Sequence, residues 1–415
     1  MAKAKAKLAP QKKVGAVAVV TAEDRKARLA AVTASVNKAM GATVVQRAEA
    51  LSSAHVLRRP TGILSLDIGL QGGFPASAIT VIVGPDGAGK DYLLWSTAAE
   101  CQRIYGDDFA MAVYLTEARL DKQYMKDICG FQVGMSEAEL EEADLAQEAA
   151  GLPALTAEQR EHYSRQIGSL YVILGVSAED GFDAIIEYIE SNSCQIVAVN
   201  SIGFLQTEAK EKTDSFKEFA QRSSEAMLLS KWAPKLAMTL NRDVAAGERN
   251  ETSIILINQV RAAEAKRMMP GRIAQDKDRY RPATEAWALK HGKAVELSIH
   301  NGPKKYDLNA KPPVVLGRNK TWEVTKGKLG LHEGIKGDFD YFFEFGADLI
   351  GDLVTVCKSL GVLEGAAWLT YDHEEWGFKA QGEERVRQHI QETEGLMAHL
   401  REVCLRKSGI VYRHK

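Results

Sequence analysis

The sequence predicts an α/β fold built on a mostly parallel central sheet with helices on both faces. Five short runs, Ala78–Val83, Met111–Leu115, Leu170–Leu174, Ile196–Val199 and Ile254–Ile257, are continuously apolar rather than alternating. That is the pattern of strands covered on both sides. Polar, helix-favouring stretches separate them. The first run ends in a glycine loop, Gly84 to Lys90, and Tyr92-Leu93-Leu94-Trp95 opens a helical stretch directly after it.

Composition sets the outer bounds. The chain has 415 residues, 45% hydrophobic and 26% charged, with a net charge of -2, which is ordinary for a globular protein. The net charge does not advertise nucleic-acid binding, although a basic groove can exist locally because net charge averages over faces. No apolar run approaches the roughly 18 residues of a membrane span, so we expect no membrane association. Five scattered cysteines, at 101, 129, 194, 357 and 404, show no metal-binding spacing. They fit a reducing compartment, and we expect a cytoplasmic protein. Lys3, Lys5, Lys7, Lys12 and Lys13 precede a short Ala/Gly-rich apolar stretch, which we read as a basic disordered tail over 1–20 rather than a signal peptide.

Along the chain, Thr21 and Asp24 resemble a helix capping box. Leu29, Val32, Val36 and Met40 follow at helical spacing and Gly41 stops them, which gives an N-terminal helix region over 21–50. An acidic, helix-favouring stretch from Met135 to Arg165 reads as a surface insertion. Strands are expected at Val295–Ile299, Pro313–Leu316 and Tyr341–Phe345. These close a core over 51–346, and a smaller unit over 347–415 contains Trp368, Tyr371 and Trp376 and ends in one long amphipathic helix, Glu383–Cys404.

The chemistry concentrates in Gly84-Pro85-Asp86-Gly87-Ala88-Gly89-Lys90-Asp91, which fits GxxxxGK. Glycines let backbone N–H groups turn inward around phosphate oxygens, the helix N-terminus adds positive potential, and Lys90 reaches the β and γ phosphates. The pattern points to a bound nucleotide. It wants Ser or Thr after the lysine for Mg²⁺, and here Asp91 stands there. A carboxylate also suits Mg²⁺, but sits unfavourably beside a triphosphate unless the metal lies between them.

The ordered motifs resemble the RecA recombinase family, including its phage-encoded members, from about Thr21 to Cys404. Thr61-Gly62-Ile63-Leu64-Ser65-Leu66-Asp67 is similar to the family's TGSLSLD segment. Tyr114-Leu115-Thr116-Glu117-Ala118-Arg119-Leu120-Asp121 resembles the segment with the catalytic glutamate, and Ile257-Asn258-Gln259-Val260-Arg261 the INQIR segment. The resemblance implies a RecA-like P-loop ATPase core with a small α+β C-terminal domain starting near Gly361–Trp368. It makes the helix after Thr21 a polymerisation helix. It implies ATP and Mg²⁺, held by the loop from Gly84 through Asp91 and Tyr92, with Asp121 and Tyr124 holding the adenine. Glu117 would position the attacking water and Gln259 would sense the γ-phosphate. Lys326 and Lys328 would reach the ATP of a neighbouring subunit.

Two departures bear on the metal. Asn200 stands where the family carries an aspartate at the end of the strand Ile196–Val199, and Asp91 stands where it carries a hydroxyl. One carboxylate has left the metal site and another has arrived. We expect Asp91 to supply the charge for Mg²⁺ and Asn200 to hydrogen-bond a metal-bound water; the competing reading is a site that binds nucleotide but turns it over slowly.

The segment from Arg261 to Glu285 carries Arg261, Lys266, Arg267, Arg272, Lys277, Arg279 and Arg281, with Met268 and Met269 as apolar wedges. Excess positive charge in a Pro- and Gly-punctuated loop suits a phosphate backbone. A first DNA loop would fall near Glu208–Lys217. Trp287 fits a core position better than a base-stacking one. The favoured function is ATP-dependent homologous pairing by a helical filament on single-stranded DNA, with double-stranded DNA as second partner and mediator or single-strand-binding proteins assisting. The alternatives are a filament scaffold or mediator that hydrolyses ATP poorly, and a ring helicase of related core.

Overall fold

The structure is a computed structural model that describes residues 21–41, 44–45, 56–117, 120–208, 224–246, 250–262, 280–282, 287–307 and 309–412, with the backbone alone at 241–246, 261–262 and 280–282. The chain divides into two compact units, Met1–Ser53 with Arg242–Glu248, and Ala54–Asn241 with Arg249–Lys415. The expected basic tail over 1–20 lies outside the described residues.

In the first unit, helix α1 (Ala22–Met40) starts at the expected capping box. Thr21 accepts from the Asp24 N–H, the Asp24 carboxylate accepts in return, and Gly41 caps the far end in a left-handed conformation.

The second unit runs in chain order through β1 (Arg58–Arg59), α2 (Leu64–Gly69), β2 (Phe74–Pro75), β3 (Ala78–Gly84), α3 (Lys90–Tyr105) and β4 (Ala110–Leu115). Next come α4 (Lys122–Asp127), α5 (Glu137–Ala149), α6 (Ala157–Ser164), β5 (Ser169–Ile173), α7 (Ala178–Glu190) and β6 (Ile196–Asn200). The helix α8 (Ser224–Ala246), part of this unit as far as Asn241, leads to β7 (Ser253–Ala262), β8 (Tyr280–Pro282), α9 (Trp287–Gly292), β9 (Val295–Asp307), β10 (Val314–Gly327), β11 (Lys336–Phe342) and β12 (Gly346–Ala347). The chain closes with α10 (Leu349–Ser359), β13 (Trp368–Tyr371), β14 (Phe378–Gln381), α11 (Gly382–Glu392) and α12 (Leu396–Lys407).

All five apolar runs are strands of one sheet, ordered β12-β11-β10-β9-β3-β7-β6-β4-β5 with β8 attached to β7. The stretch from β9 to β5 is parallel, and β10, β11 and β12 extend it antiparallel. Side chains of β3 alternate between two cores. Ala78 and Ile82 pack with Leu93, Leu94 and Trp95 of α3, while Ile79, Val81 and Val83 pack with Phe182 and Ile185 of α7 and Leu229 and Trp232 of α8. Each Leu or Ile so buried contributes about 1.5–3 kcal/mol. A third core joins Leu64 to α10, β13, α11 and α12.

The structure corrects some expected boundaries. The strand expected at Pro313–Leu316 is the start of β10, a strand of 14 residues. The strand expected at Tyr341–Phe345 stops at Phe342. The acidic stretch between Met135 and Arg165 forms two helices, each opened by its own capping box at Ser136 and Thr156. The long helix expected over Glu383–Cys404 is two, because Thr393 adopts an extended backbone (φ -100°, ψ 107°) that no α-helix accommodates.

Candidate nucleotide site

Four parallel strands deliver their carboxyl ends to one place. The register pairs Gly84 of β3 with Gln259 of β7, and Leu115 of β4 with Asn200 of β6. In sequence β3 is followed by β4, which lies on the far side of β7 and β6. This arrangement opens the crevice at the strand ends where ligands of such sheets bind.

The loop from Gly84 to Lys90 is shaped by its glycines. A Cβ on Gly84 would lie 2.4 Å from the Ile299 carbonyl oxygen, and Gly89 caps α3 with φ 101°, so both positions exclude ordinary side chains. The Lys90 Nζ donates to the carbonyls of Gly84 (3.0 Å) and Pro85 (2.9 Å). Burial pulls this ammonium below the usual lysine range, while Asp91, Asp86 and Glu117 oppose the shift. Pro85, Asp86 and Gly87 form the crest of the loop, and Ala88 is buried beneath it. Tyr92 turns inward. Its hydroxyl accepts from the Ala347 N–H (3.1 Å) and its ring meets Tyr341 edge-on at 5.1 Å, so only its backbone faces the loop side.

The two exchanged residues meet. The Asn200 amide donates to Asp91 Oδ1 at 2.8 Å. The Asp91 carboxylate is exposed on the first turn of α3, held by an amide that carries no charge. Hard carboxylate oxygens fit Mg²⁺, which takes one or two carboxylates and fills its shell with phosphate and water. Among the described residues no three His, Cys, Asp or Glu side chains gather to hold a metal by themselves.

Beside this pair, Glu117 follows β4 and is exposed. Its Oε1 accepts from the Ser201 hydroxyl and from the Gln259 amide (3.2 Å). Ser201 is itself fixed: its N–H donates to Thr116 Oγ1 at 2.9 Å, and that hydroxyl donates back to the Ser201 carbonyl at 2.6 Å. Sequence reasoning missed Ser201 as a site residue, although it directly follows Asn200 at the end of β6.

Asp121 caps α4, accepting from the Tyr124 N–H at 2.9 Å. The Tyr124 hydroxyl lies 3.4 Å from that of Tyr341, and burial pushes it well above the usual tyrosine range. Lys326 and Lys328 are not brought to the loop. They donate to the carbonyls of Lys290 and His291 (2.8 Å for the second), at the end of α9. Burial, together with Lys328 and Lys293, lowers the Lys326 ammonium.

Of the basic segment, Arg261 and Arg281 are cross-strand partners in the antiparallel pair β7–β8. Lys266, Arg267, Met268, Met269, Arg272, Lys277 and Arg279 lie outside the described residues. So does the expected first DNA loop beyond Glu208, whose N–H donates to Glu179. Trp287 is not a core residue. It is 74% exposed, and His291 lies against its ring at 4.5 Å. All five cysteines are buried and free, and no helix among the described residues is long and apolar enough to cross a membrane.

No family model matches the chain. Protein RecA of Oleidesulfovibrio alaskensis is 24% identical over 357 residues, 85% of this chain and 83% of the relative. Protein RecA of Thermus aquaticus is 24% identical over 356 residues, 85% of this chain and 86% of the relative. The chain is thus similar to RecA proteins over most of its length. The crystal structure of the RadB recombinase covers 70% of this chain and 98% of its own at 18% identity, with a TM-score of 0.41. The two positions at which the sequence departs from the motifs it resembles, Asp91 and Asn200, are hydrogen-bonded to each other.

Proposed function

We propose that this chain is an ATP-dependent recombinase that assembles into a helical filament on single-stranded DNA and pairs it with homologous double-stranded DNA. The observation that carries the reading is the hydrogen bond from Gln259 to Glu117. It ties the end of β4, at the glycine loop, to β7, which runs from Gln259 directly into Arg261 and the basic segment.

In this reading the backbone N–H groups of Gly84–Gly89 cradle the phosphates, and Lys90 leaves the carbonyls of Gly84 and Pro85 to meet them. Asp91, oriented by Asn200, holds Mg²⁺, which supplies charge neutralisation at the phosphates when bound. Glu117, aimed by Ser201 and Gln259, positions water and accepts its proton as the water oxygen attacks the γ-phosphorus. The bond to the bridging oxygen then breaks and ADP leaves. Asp121 and Tyr124 flank the base. Lys326 and Lys328 complete the site of a neighbouring subunit, and the exposed Leu29, Val32 and Met40 of α1 offer the apolar face for assembly. Arg261, Lys266, Arg267, Arg272, Lys277, Arg279 and Arg281 contact phosphates, with Met268 and Met269 between bases. Mediator and single-strand-binding proteins act on such filaments from outside.

The presence of a carboxylate at Asp91 favours a second reading, a filament scaffold that binds ATP and hydrolyses it poorly. ATP turnover with and without single-stranded DNA, alongside electron microscopy, separates the two. DNA-stimulated turnover with helical filaments is the expected result. Filaments without turnover would establish the scaffold, and closed rings would overturn both.

A further inference from the structure

We propose that Lys320 is a positioning residue of the nucleotide site: from β10 it fastens the crest of the glycine loop at Gly87 and sets a second ammonium near Lys90. The inference rests on the nucleotide reading above and assigns that site a residue outside its sequence motif.

Lys320 is 2% exposed. On β10 it shares the buried face with Trp322 and Val324, where lysine is rarely found unless it is paired. Its Nζ donates to the Gly87 carbonyl and to Asn301 Oδ1, both at 2.6 Å. The same ammonium stands 5.2 Å from the centre of the Tyr341 ring. Its stem passes the loop closely, since a Cβ on Gly89 would lie 3.9 Å from Lys320 Cε. The contact with Gly87 joins residues 233 apart in sequence. An ammonium has three donors and no acceptor, so two fixed acceptors also fix the direction of the third.

The charged and titratable groups around it come from every neighbouring element. Lys90 of α3 and Arg318 of β10 itself are like charges. Asp91 and Asp86 act on Lys90 from the loop side. On β11 the Tyr341 hydroxyl is pushed up and stays neutral, and β9 contributes the uncharged Asn301. Burial first, then Arg318 and Lys90, bring the Lys320 ammonium down to about 8. A bound polyphosphate favours the protonated form. The free protein therefore loses this proton as pH rises through about 8, while the complex retains it. Nucleotide affinity should fall above that pH, by up to about tenfold per unit.

The test is calorimetric titration of the full-length protein with Mg²⁺ and a non-hydrolysable ATP analogue, from about pH 7 to about pH 9.5, where a one-unit displacement of a lysine means tenfold in affinity. Wild type should weaken across this range. Lys320→Arg, which keeps its charge, should show a smaller fall, the remainder belonging to Lys90. Lys320→Met should bind about tenfold more weakly at pH 7 with a reduced pH dependence, while kcat at saturating ATP changes less than KM. Thermal unfolding without nucleotide checks each variant. Should Lys320→Met fail to fold, the contrast between wild type and Lys320→Arg decides alone. Wild-type binding that is flat with pH, or a pH dependence that persists unchanged in Lys320→Met or Lys320→Arg, overturns the role of Lys320 and leaves nucleotide binding standing. A wild type that binds no analogue at any pH overturns both.

Discussion

At the scale of single residues, the contact between Asp91 and Asn200 exchanges two chemical types across one hydrogen bond. The resemblance implies a hydroxyl facing a carboxylate, and this chain has a carboxylate facing an amide. Restoring one side alone should be harmful. Asn200→Asp sets two carboxylates where 2.8 Å now separates donor from acceptor, and Asp91→Thr leaves the metal position without a negative charge. Each single variant should lower ATP turnover by about tenfold or more, and the double variant should recover most of that loss, a coupling of about 1–3 kcal/mol. Losses that simply multiply in the double variant would show that the two sites act independently. The sequence displayed Lys90, Glu117, Asn200 and Gln259 because each sits in a motif. It hid Ser201 and Lys320, whose roles arise only when distant strands are paired. The one local signal for Lys320 was a lysine in phase with Trp322 and Val324 on an alternating strand. Trp287 misled for the opposite reason: a large aromatic ring normally earns burial, and here it stands in solvent.

At the scale of elements, the strands of the central sheet were legible because they are short, continuously apolar and end at polar or glycine residues. The split between α11 and α12 was not legible, because Val386, Ile390, Leu396, Leu400 and Cys404 all face one core across the break. The segment Thr61–Asp67 also gains a structural role that its motif did not reveal. Asp67 is fully buried and accepts from Thr61 N–H and hydroxyl, while Arg401 of α12 donates to Asp67 Oδ2 and to the Gly62 carbonyl, each at 2.6 Å. Burial pushes the Asp67 carboxyl up to about 6 against the pull of Arg401. Arg401→Met would strand this buried carboxylate, at a cost of about 3–5 kcal/mol near neutral pH. The native carboxyl binds its proton at a higher pH than the unfolded one, whose value is 3.8. Without Arg401 the folded carboxyl binds its proton at a still higher pH, so the penalty should shrink as pH falls towards about 6, below which the wild-type carboxyl is protonated as well. Denaturant titrations of wild type and variant at about pH 7.5 and about pH 5 read this directly. A penalty that is equal at both would contradict the role of the charge.

At the scale of the whole molecule, the two proposed activities meet on one strand. β7 carries Gln259 at the nucleotide site and Arg261 at the paired base of the basic segment. On the proposed function, a γ-phosphate that draws Gln259 away from Glu117 would change the start of that segment, and reciprocity then requires DNA to strengthen nucleotide binding by the same factor. The direct measurement is the affinity for single-stranded DNA with and without Mg²⁺ and a non-hydrolysable ATP analogue, at several salt concentrations. The account predicts that the analogue tightens DNA binding by about 5- to 150-fold, and that the affinity falls linearly with salt on logarithmic axes. A DNA affinity that is the same with and without the analogue would contradict it.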